Sequence, residues 1–297
     1  MKFIHYLFVS TLFFAVCASA SAQGSHFVLL GNGESLSPEK KFVRPLTAPF
    51  LHEDAFITTD VRGWFLFHEN GESNSLSEIS GDQFEVTTLQ ARLAVTETLQ
   101  AILYKNGYSD LNDSDGWNDI GVGLKLGLFQ DAGSQLYISI GAGYEISTGD
   151  DQVFQDTDEY RVFASVNKGF NRLHLGANAN YIATDRNNAN DTGNADMLTI
   201  HLHADFYVHQ WFSPVVELNG YFVQDANSSV TNIDFSGVDL VSINGGERND
   251  TITYAFGFES RPIDESFGLR AAYETQLNNS EDSLFGYRWT LSAVYEF

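Results

Sequence analysis

From residue 54 onward, apolar residues alternate with glycine, polar or charged residues along successive short segments. The clearest segment places apolar side chains at every second position, namely Ile120, Val122, Leu124, Leu126 and Leu128. Side chains on a β-strand point alternately to opposite faces, so this period predicts strands with one apolar and one polar face. The pattern predicts twelve strands, at about residues 54–68, 84–95, 98–107, 118–130, 134–147, 159–168, 171–183, 196–209, 212–224, 250–260, 265–275 and 285–297.

The connections between these strands alternate in length. Short ones such as Thr96-Glu97 and Gly169-Phe170 are followed by long ones such as 148–158 and 225–249. This rhythm predicts an all-β fold, a transmembrane antiparallel up-and-down β-barrel of about 12 strands with short periplasmic turns and long extracellular loops. A secreted β-sandwich also alternates, but it lacks the regular succession of short and long connections.

The last strand ends on aromatic residues at alternate positions. Tyr295 and Phe297 close the chain, a pattern typical of outer-membrane barrels and similar to the signal that their assembly machinery binds. The sequence therefore predicts an assembly signal at these two residues and the barrel assembly machinery as a partner.

Composition excludes several other classes. With 16 Lys and Arg against 39 Asp and Glu, the net charge is −23, which argues against nucleic-acid binding. Apolar residues make up 43% of the chain, too many for an acidic disordered protein. Outside the N-terminus no apolar run approaches the roughly 20 residues that a membrane-spanning helix requires.

The N-terminus has the features of an export signal. Lys2 precedes an apolar core at residues 4–16, and Ala20-Ser21-Ala22 forms a cleavage site, so residues 1–22 are predicted to be a signal peptide. The single cysteine, Cys17, lies within it. We therefore expect export, the outer membrane of a Gram-negative bacterium, and a mature chain without thiol chemistry.

Residues 23–53 lack a strand pattern and contain Pro38, Pro45 and Pro49. This N-terminal segment is predicted to be a plug inside the barrel, a periplasmic tail or a disordered stretch, and the sequence does not choose among them. The barrel domain is predicted to cover residues 54–297.

Three short motifs resemble those of a known family. Residues 93–99 (LAVTETL) resemble its strand–turn–strand "L-G-L-T-D-R-L", and residues 116–125 resemble its "G-x-G-D-x-x-x-G-x-K", with Asn118 in place of the second Gly. Residues 147–150 resemble its "P-T-G-D", with Ser147 in place of Pro. The family comprises outer-membrane transporters associated with the meta-pathway of phenol degradation. The resemblance implies a barrel that passes a small solute of hydrophobic or aromatic character.

Placing the polar face of each strand inside the barrel predicts which charges line the lumen. The basic ones are Arg62, Arg92, Lys125, Arg161, Arg270 and Arg288, and the acidic ones are Asp60, Glu145, Asp205, Glu217, Glu259, Glu274 and Glu296. Arg62 and Lys125 are expected on one wall, with Asp205 and Glu217 roughly opposite. Two hypotheses follow: a transverse field that orients a solute, or paired ladders that merely satisfy buried charges.

His201, His203 and Asp205 share one strand face, which raises the alternative of a metal or catalytic site. Alternate strand residues are about 6.8 Å apart, so two histidines on one strand rarely hold a metal without a ligand from elsewhere. No matching serine nucleophile stands out either. We therefore expect no enzyme activity, no cofactor and no metal, and place His201 and His203 with the candidate solute path.

The sequence thus predicts an outer-membrane channel or transporter for a small solute, with outer-membrane lipid and lipopolysaccharide as its surroundings. The long loops carry most of the remaining acidic residues, among them Asp150, Asp185 and Glu281. The alternative is a closed barrel with a structural or surface-interaction role through these acidic extracellular loops.

Overall fold

The computed structural model describes residues 37–69, 83–111, 114–153, 158–184, 195–226, 251–277 and 286–297. Its strands, in chain order, are β1 (Asp60–Glu69), β2 (Gln83–Ala94), β3 (Leu99–Tyr104), β4 (Gly107–Asp110), β5 (Asp115–Trp117), β6 (Ile120–Asp131), β7 (Leu136–Ile146), β8 (Glu159–Phe170), β9 (Leu173–Thr184), β10 (Ala195–Phe206), β11 (Ser213–Ala226), β12 (Thr251–Ser260), β13 (Phe267–Gln276) and β14 (Tyr287–Glu296). Two short 3₁₀ turns, Pro38–Lys40 and Asp151–Val153, complete the regular structure of these ranges. Within them, no helix has the length and apolar character to cross a membrane.

The strands form one closed antiparallel ring of twelve positions. Strand β1 pairs with β2 on one side and with β14 on the other, which closes the sheet. The third position is divided into β3 and β4, and the fourth into β5 and β6. Between β3 and β4 the backbone of Lys105 adopts φ 54, a left-handed conformation that interrupts the strand. The predicted twelve-stranded barrel is therefore confirmed.

The first strand begins later than the alternation indicated. It starts at Asp60 rather than near residue 54, because residues 54–59 lie inside the ring instead of in its wall. Phe56 packs edge-on against Phe42, with ring centroids 4.9 Å apart, and at 4.6 Å from Tyr137 of β7. Apolar side chains that would face lipid from a strand instead pack against one another inside the barrel.

The outer surface of the ring is apolar. Exposed side chains of the wall include Leu89, Leu124, Leu126, Ile140, Val162, Val166, Leu175, Ile200, Leu202, Val216, Phe256 and Leu291. Their strand neighbours of opposite parity are buried and mostly polar. Apolar residues outside and polar residues inside are the arrangement of a transmembrane β-barrel, since lipid covers the exterior.

Residues 41–59, which we call the inner segment, run through the barrel without joining the sheet. Every residue from Phe42 to Phe56 is buried, and none is assigned to a strand. The backbone reverses at Ala48, where the amide of His52 donates to the Ala48 carbonyl at 2.9 Å. Lys41 pairs with Glu296 at 2.9 Å, and the Thr59 carbonyl accepts from the Phe297 amide at 3.0 Å. Both ends of the inner segment therefore lie at the same rim, beside the end of β14.

Candidate functional site

All thirteen charged residues predicted to face the lumen are buried in the structure, so the inside–outside parity is confirmed. Their surroundings differ from a water-filled path. Many of them contact the inner segment, which lies between the wall formed by β1, β2 and β6 and the wall formed by β10 and β11.

Three cations of the first wall meet two carboxylates of the inner segment. Arg62, Arg92 and Lys125, which we call the basic cluster, project from β1, β2 and β6. Arg92 binds both oxygens of Glu53, its Nε lying 3.2 Å from Oε2 and its Nη2 contacting Oε1. Arg62 Nη2 lies 2.9 Å from Asp54 Oδ2, and Lys125 Nζ lies 3.4 Å from Asp54 Oδ1. The two carboxylates are thus divided among all three cations.

One wall carboxylate also takes part in this network. Asp60 accepts from Arg62 at 2.7 Å and lies 3.7 Å from Arg92.

Asp54 belongs to the inner segment rather than to a spanning strand. Burial raises the pKa of its carboxyl group, but the cations of Lys125 and its neighbours outweigh burial and hold that pKa well below its usual value. Asp54 is therefore ionised where it meets the basic cluster.

The opposite wall offers acceptors to the backbone of the inner segment. Glu217 of β11 accepts from the amide of Leu46 at 2.8 Å and from that of Thr47 at 2.7 Å, and also from the Thr47 hydroxyl. Asp205 of β10 accepts from the amide of Val43 at 3.3 Å. A buried backbone N–H needs an acceptor, and these carboxylates supply it where strand pairing does not.

Other wall side chains bind the carbonyl groups of the inner segment. The Gln90 amide donates to Pro49 at 2.8 Å, and Arg161 Nη2 donates to Leu51 at 2.7 Å. Ser165 Oγ donates to the Glu53 carbonyl at 2.8 Å. The inner segment is therefore held by side-chain contacts from strands all around the ring.

Histidines connect the acidic residues of the second wall. His203 lies between Asp205, 3.1 Å from its Nε2, and Glu217, 2.7 Å from its Nδ1. His174 lies 2.7 Å from the other oxygen of Asp205. These histidine contacts orient the carboxylates of Asp205 and Glu217, which face the backbone amides of the inner segment.

His201 has a separate environment. Its two ring nitrogens bond with Asn219 at 2.8 Å and with Thr199 at 2.9 Å, and its ring stacks on His52 with centroids 5.1 Å apart. Burial lowers the pKa of His52 to about 4, so this ring of the inner segment is neutral at neutral pH. In the described ranges, no group of three or more His, Cys, Asp or Glu side chains has the geometry of a metal site.

The structure places the candidate residues from the sequence in two groups. Arg62 and Lys125 come together on one wall, while Asp205, Glu217 and His203 come together on the other, with His201 nearby. Each of these groups contacts the inner segment. Their assignment to a solute path stays a prediction.

The sequence reasoning missed the partners of these residues. Glu53 and Asp54 form an acidic pair just before the first strand, and Arg92 appeared only as one inward charge among many. An acidic pair between an unpatterned stretch and a basic lumen wall is the one signal that could have suggested the contact. Tyr295 and Phe297 lie at the exposed end of β14, with ring centroids 4.9 Å apart, and their role as an assembly signal stays a prediction.

Several predictions concern residues beyond those that the structure describes. The signal peptide at residues 1–22 lies outside the described residues, as do most of the long acidic loops. The expected absence of enzyme activity and of a cofactor stays a prediction too, as does the contact with lipopolysaccharide.

No protein-family model and no curated protein matches this chain. Among solved structures, it is similar to an outer-membrane channel from Pseudomonas putida F1, with 12% identity and a TM-score of 0.57 over 86% of this chain and 100% of that one. It is also similar to the NanC porin, with 12% identity and a TM-score of 0.51 over 80% of this chain and 100% of that one. At these identities the likeness establishes the fold alone. Together with the apolar exterior it shows an outer-membrane barrel of the architecture found in channels and porins, while the phenol-degradation family is not confirmed.

Proposed function

We propose that this protein is an outer-membrane channel for a small solute, and that the inner segment closes the channel. The observation that carries the proposal is the position of residues 41–59. They lie across the lumen, buried between opposite walls, yet they contribute no strand to the wall.

The barrel does not need the inner segment to close on itself. Strand β1 is paired along its length with both β2 and β14, from Asp60 to Glu69. The inner segment is continuous with the wall only at Asp60. Withdrawal of the segment toward the rim where both its ends lie would leave every strand pairing intact.

The forces that hold the inner segment suit a reversible contact. Buried ion pairs gain Coulomb energy but lose hydration, so their net contribution is smaller than their number indicates. When the segment leaves, water enters and hydrates the freed charges. An apolar core of the same size would lack this compensation.

Two arguments about the class of solute lead to different answers. The family resemblance implies an aromatic or hydrophobic solute. The lumen wall, however, presents buried arginines, carboxylates and histidines, which favour a solute that is polar or charged. A screen of small solutes against the opened channel would decide between these classes.

A closed barrel with a structural or surface-interaction role is the second candidate function. The observation that favours it is a set of lumen ion pairs that do not need the inner segment: Arg288 pairs with Glu274 across the wall, and Arg261, just after β12, pairs with Glu259. A barrel that never opens would satisfy its inward charges in this way.

Conductance across a planar lipid bilayer distinguishes the two. We would compare the refolded mature chain, residues 23–297, with a chain that begins at residue 57 and so lacks most of the inner segment. A chain that begins at residue 37 is the matched control, because it is truncated but keeps the segment. Discrete steps that are rare in the mature and control chains and frequent in the chain from residue 57 are expected. Silence from all three folded chains would refute the channel.

A further inference from the structure

The basic cluster carries more charge than the wall around it neutralises. Within the described ranges, the carboxylates within 4.0 Å of Arg62, Arg92 and Lys125 are those of Asp60, Glu53 and Asp54. Only Asp60 belongs to the wall. Three cations against one anion leave a net charge of +2, and the inner segment supplies the two carboxylates that balance it.

The contacts show how specific this balance is. The Arg92 guanidinium binds the Glu53 carboxylate through two nitrogens. The Asp54 oxygens go to different cations of the cluster, Oδ2 to Arg62 and Oδ1 to Lys125, and Oδ1 also lies 3.5 Å from Arg44 of the inner segment itself. Two-point contacts between guanidinium and carboxylate add directional specificity to charge attraction. The cluster therefore fits two planar carboxylates joined by a short chain, whereas one small anion could occupy only one half of it.

All these groups are buried. Arg62, Arg92 and Lys125 are at most 2% exposed, and Glu53 and Asp54 are equally enclosed. Buried cations that lose their counter-charges are strongly destabilised unless another anion or water replaces the lost partner. If the inner segment withdraws, the basic cluster becomes the most cationic part of that wall and attracts a replacement.

From this geometry we infer that the basic cluster is a binding site for a dicarboxylate solute, and that Glu53 and Asp54 occupy it as an internal competitor. The inference rests on the proposed function, since the site becomes free only when the inner segment withdraws. Solute and segment then compete for the same three cations. A solute that binds only the withdrawn state shifts the population toward it, so the solute would favour opening of its own channel.

Calorimetry on the mature chain carrying Glu53→Gln and Asp54→Asn, folded in detergent micelles, tests the site without requiring conductance. The probe is the acetyl-Glu-Asp-amide dipeptide, which carries the two carboxylates of the inner segment. The neutral control probe is acetyl-Gln-Asn-amide, of nearly the same size and shape. We expect the acidic dipeptide to bind at least about tenfold more tightly, the equivalent of one good charge-assisted contact.

Variants then locate the binding. Arg92→Gln and Lys125→Gln should each weaken the acidic dipeptide about tenfold or more, because each removes one cation of the cluster. Arg288→Gln is the matched control, since Arg288 is a buried lumen arginine whose wall partner is Glu274. It should leave the affinity within about threefold of the parent chain. The unaltered mature chain, whose site is occupied, should bind the dipeptide far more weakly than the Glu53→Gln, Asp54→Asn chain.

Equal binding of the acidic and neutral dipeptides would overturn the site, as would equal loss in Arg288→Gln and Arg92→Gln. An equally strong response to inorganic phosphate would also overturn it, since that would show attraction of any anion. The two proposals fail separately. A chain that binds the acidic dipeptide selectively but never conducts refutes the channel and keeps the site, and a chain that conducts without this selectivity does the reverse.

Discussion

Replacing Asp54 with asparagine should release the inner segment without disturbing the barrel wall. The substitution Asp54→Asn keeps the size and shape of the side chain and removes only its charge. Asp54 lies 2.9 Å from Arg62, 3.4 Å from Lys125 and 3.5 Å from Arg44, so three buried cations lose a shared counter-ion at once.

The magnitude follows from the burial of the group. Removing one partner of a buried ion pair costs roughly 3–5 kcal/mol, because an uncompensated charge remains. The freed cations are hydrated when the segment withdraws, so the cost falls on the closed state alone. Taking the lower value of about 3 kcal/mol, and a factor of ten per 1.4 kcal/mol, the ratio of withdrawn to inserted segment should rise about hundredfold.

Single-channel recording in planar bilayers measures this ratio as open probability. The control is Asp131→Asn, the same chemical change at a carboxylate that binds Ser134 in an exposed turn of the wall. Asp54→Asn should raise the open probability about hundredfold, or to saturation, while Asp131→Asn should leave it unchanged. An open probability within about twofold of the parent chain, in protein shown to be folded, would mean that the basic cluster does not hold the segment in place.

Three further substitutions probe other contacts. Glu217→Gln weakens the acceptor for two inner-segment amides, and the loss of such a buried contact costs about 1–3 kcal/mol. Tryptic cleavage after Lys41 should therefore increase by at least about fivefold. Leu46→Ala leaves a cavity between the inner segment and the wall, at a cost of about 2–5 kcal/mol. It should accelerate the same tryptic cleavage, while the strand content measured by circular dichroism stays constant. Gly121→Ala places a methyl group against the Tyr104 ring and should lower the free energy of unfolding in urea by about 1–3 kcal/mol. The control is Gly63→Ala, whose added methyl group meets nothing within 4 Å and should change this free energy by less than about 1 kcal/mol. Equal unfolding midpoints for the two glycine variants would contradict this account of the Tyr104 packing.

The alternation in the sequence determined the wall of this barrel. A strand residue faces either lipid or lumen, and that choice is made by its immediate neighbours, so a period of two is visible without any knowledge of distant contacts. Segments such as residues 120–128 were placed correctly for this reason, and Arg62, Lys125 and Glu217 were all assigned to the lumen. The alternating connection lengths then determined an up-and-down ring rather than a sandwich.

The start of the first strand shows where this local signal fails. The sequence predicts residues 54–59 as the start of this strand, yet they lie inside the ring. Phe56 packs on Phe42 and Tyr137 in the lumen, and an apolar side chain is equally well buried there as against lipid. The sequence pattern does not distinguish these two apolar environments.

Only the tertiary structure decided what fills the barrel. The residues that meet are far apart in the chain: Lys125 donates to the Asp54 carbonyl across 71 positions, and Glu217 accepts from Leu46 across 171. The inner segment forms no repeating ladder, so no periodicity marks it, and its proline-containing sequence fits a tail as well as a plug. Its position depends on matching two carboxylates to three cations on one wall and backbone amides to acidic acceptors on the other. Such complementarity exists only after the ring has closed and brought the two walls to face each other.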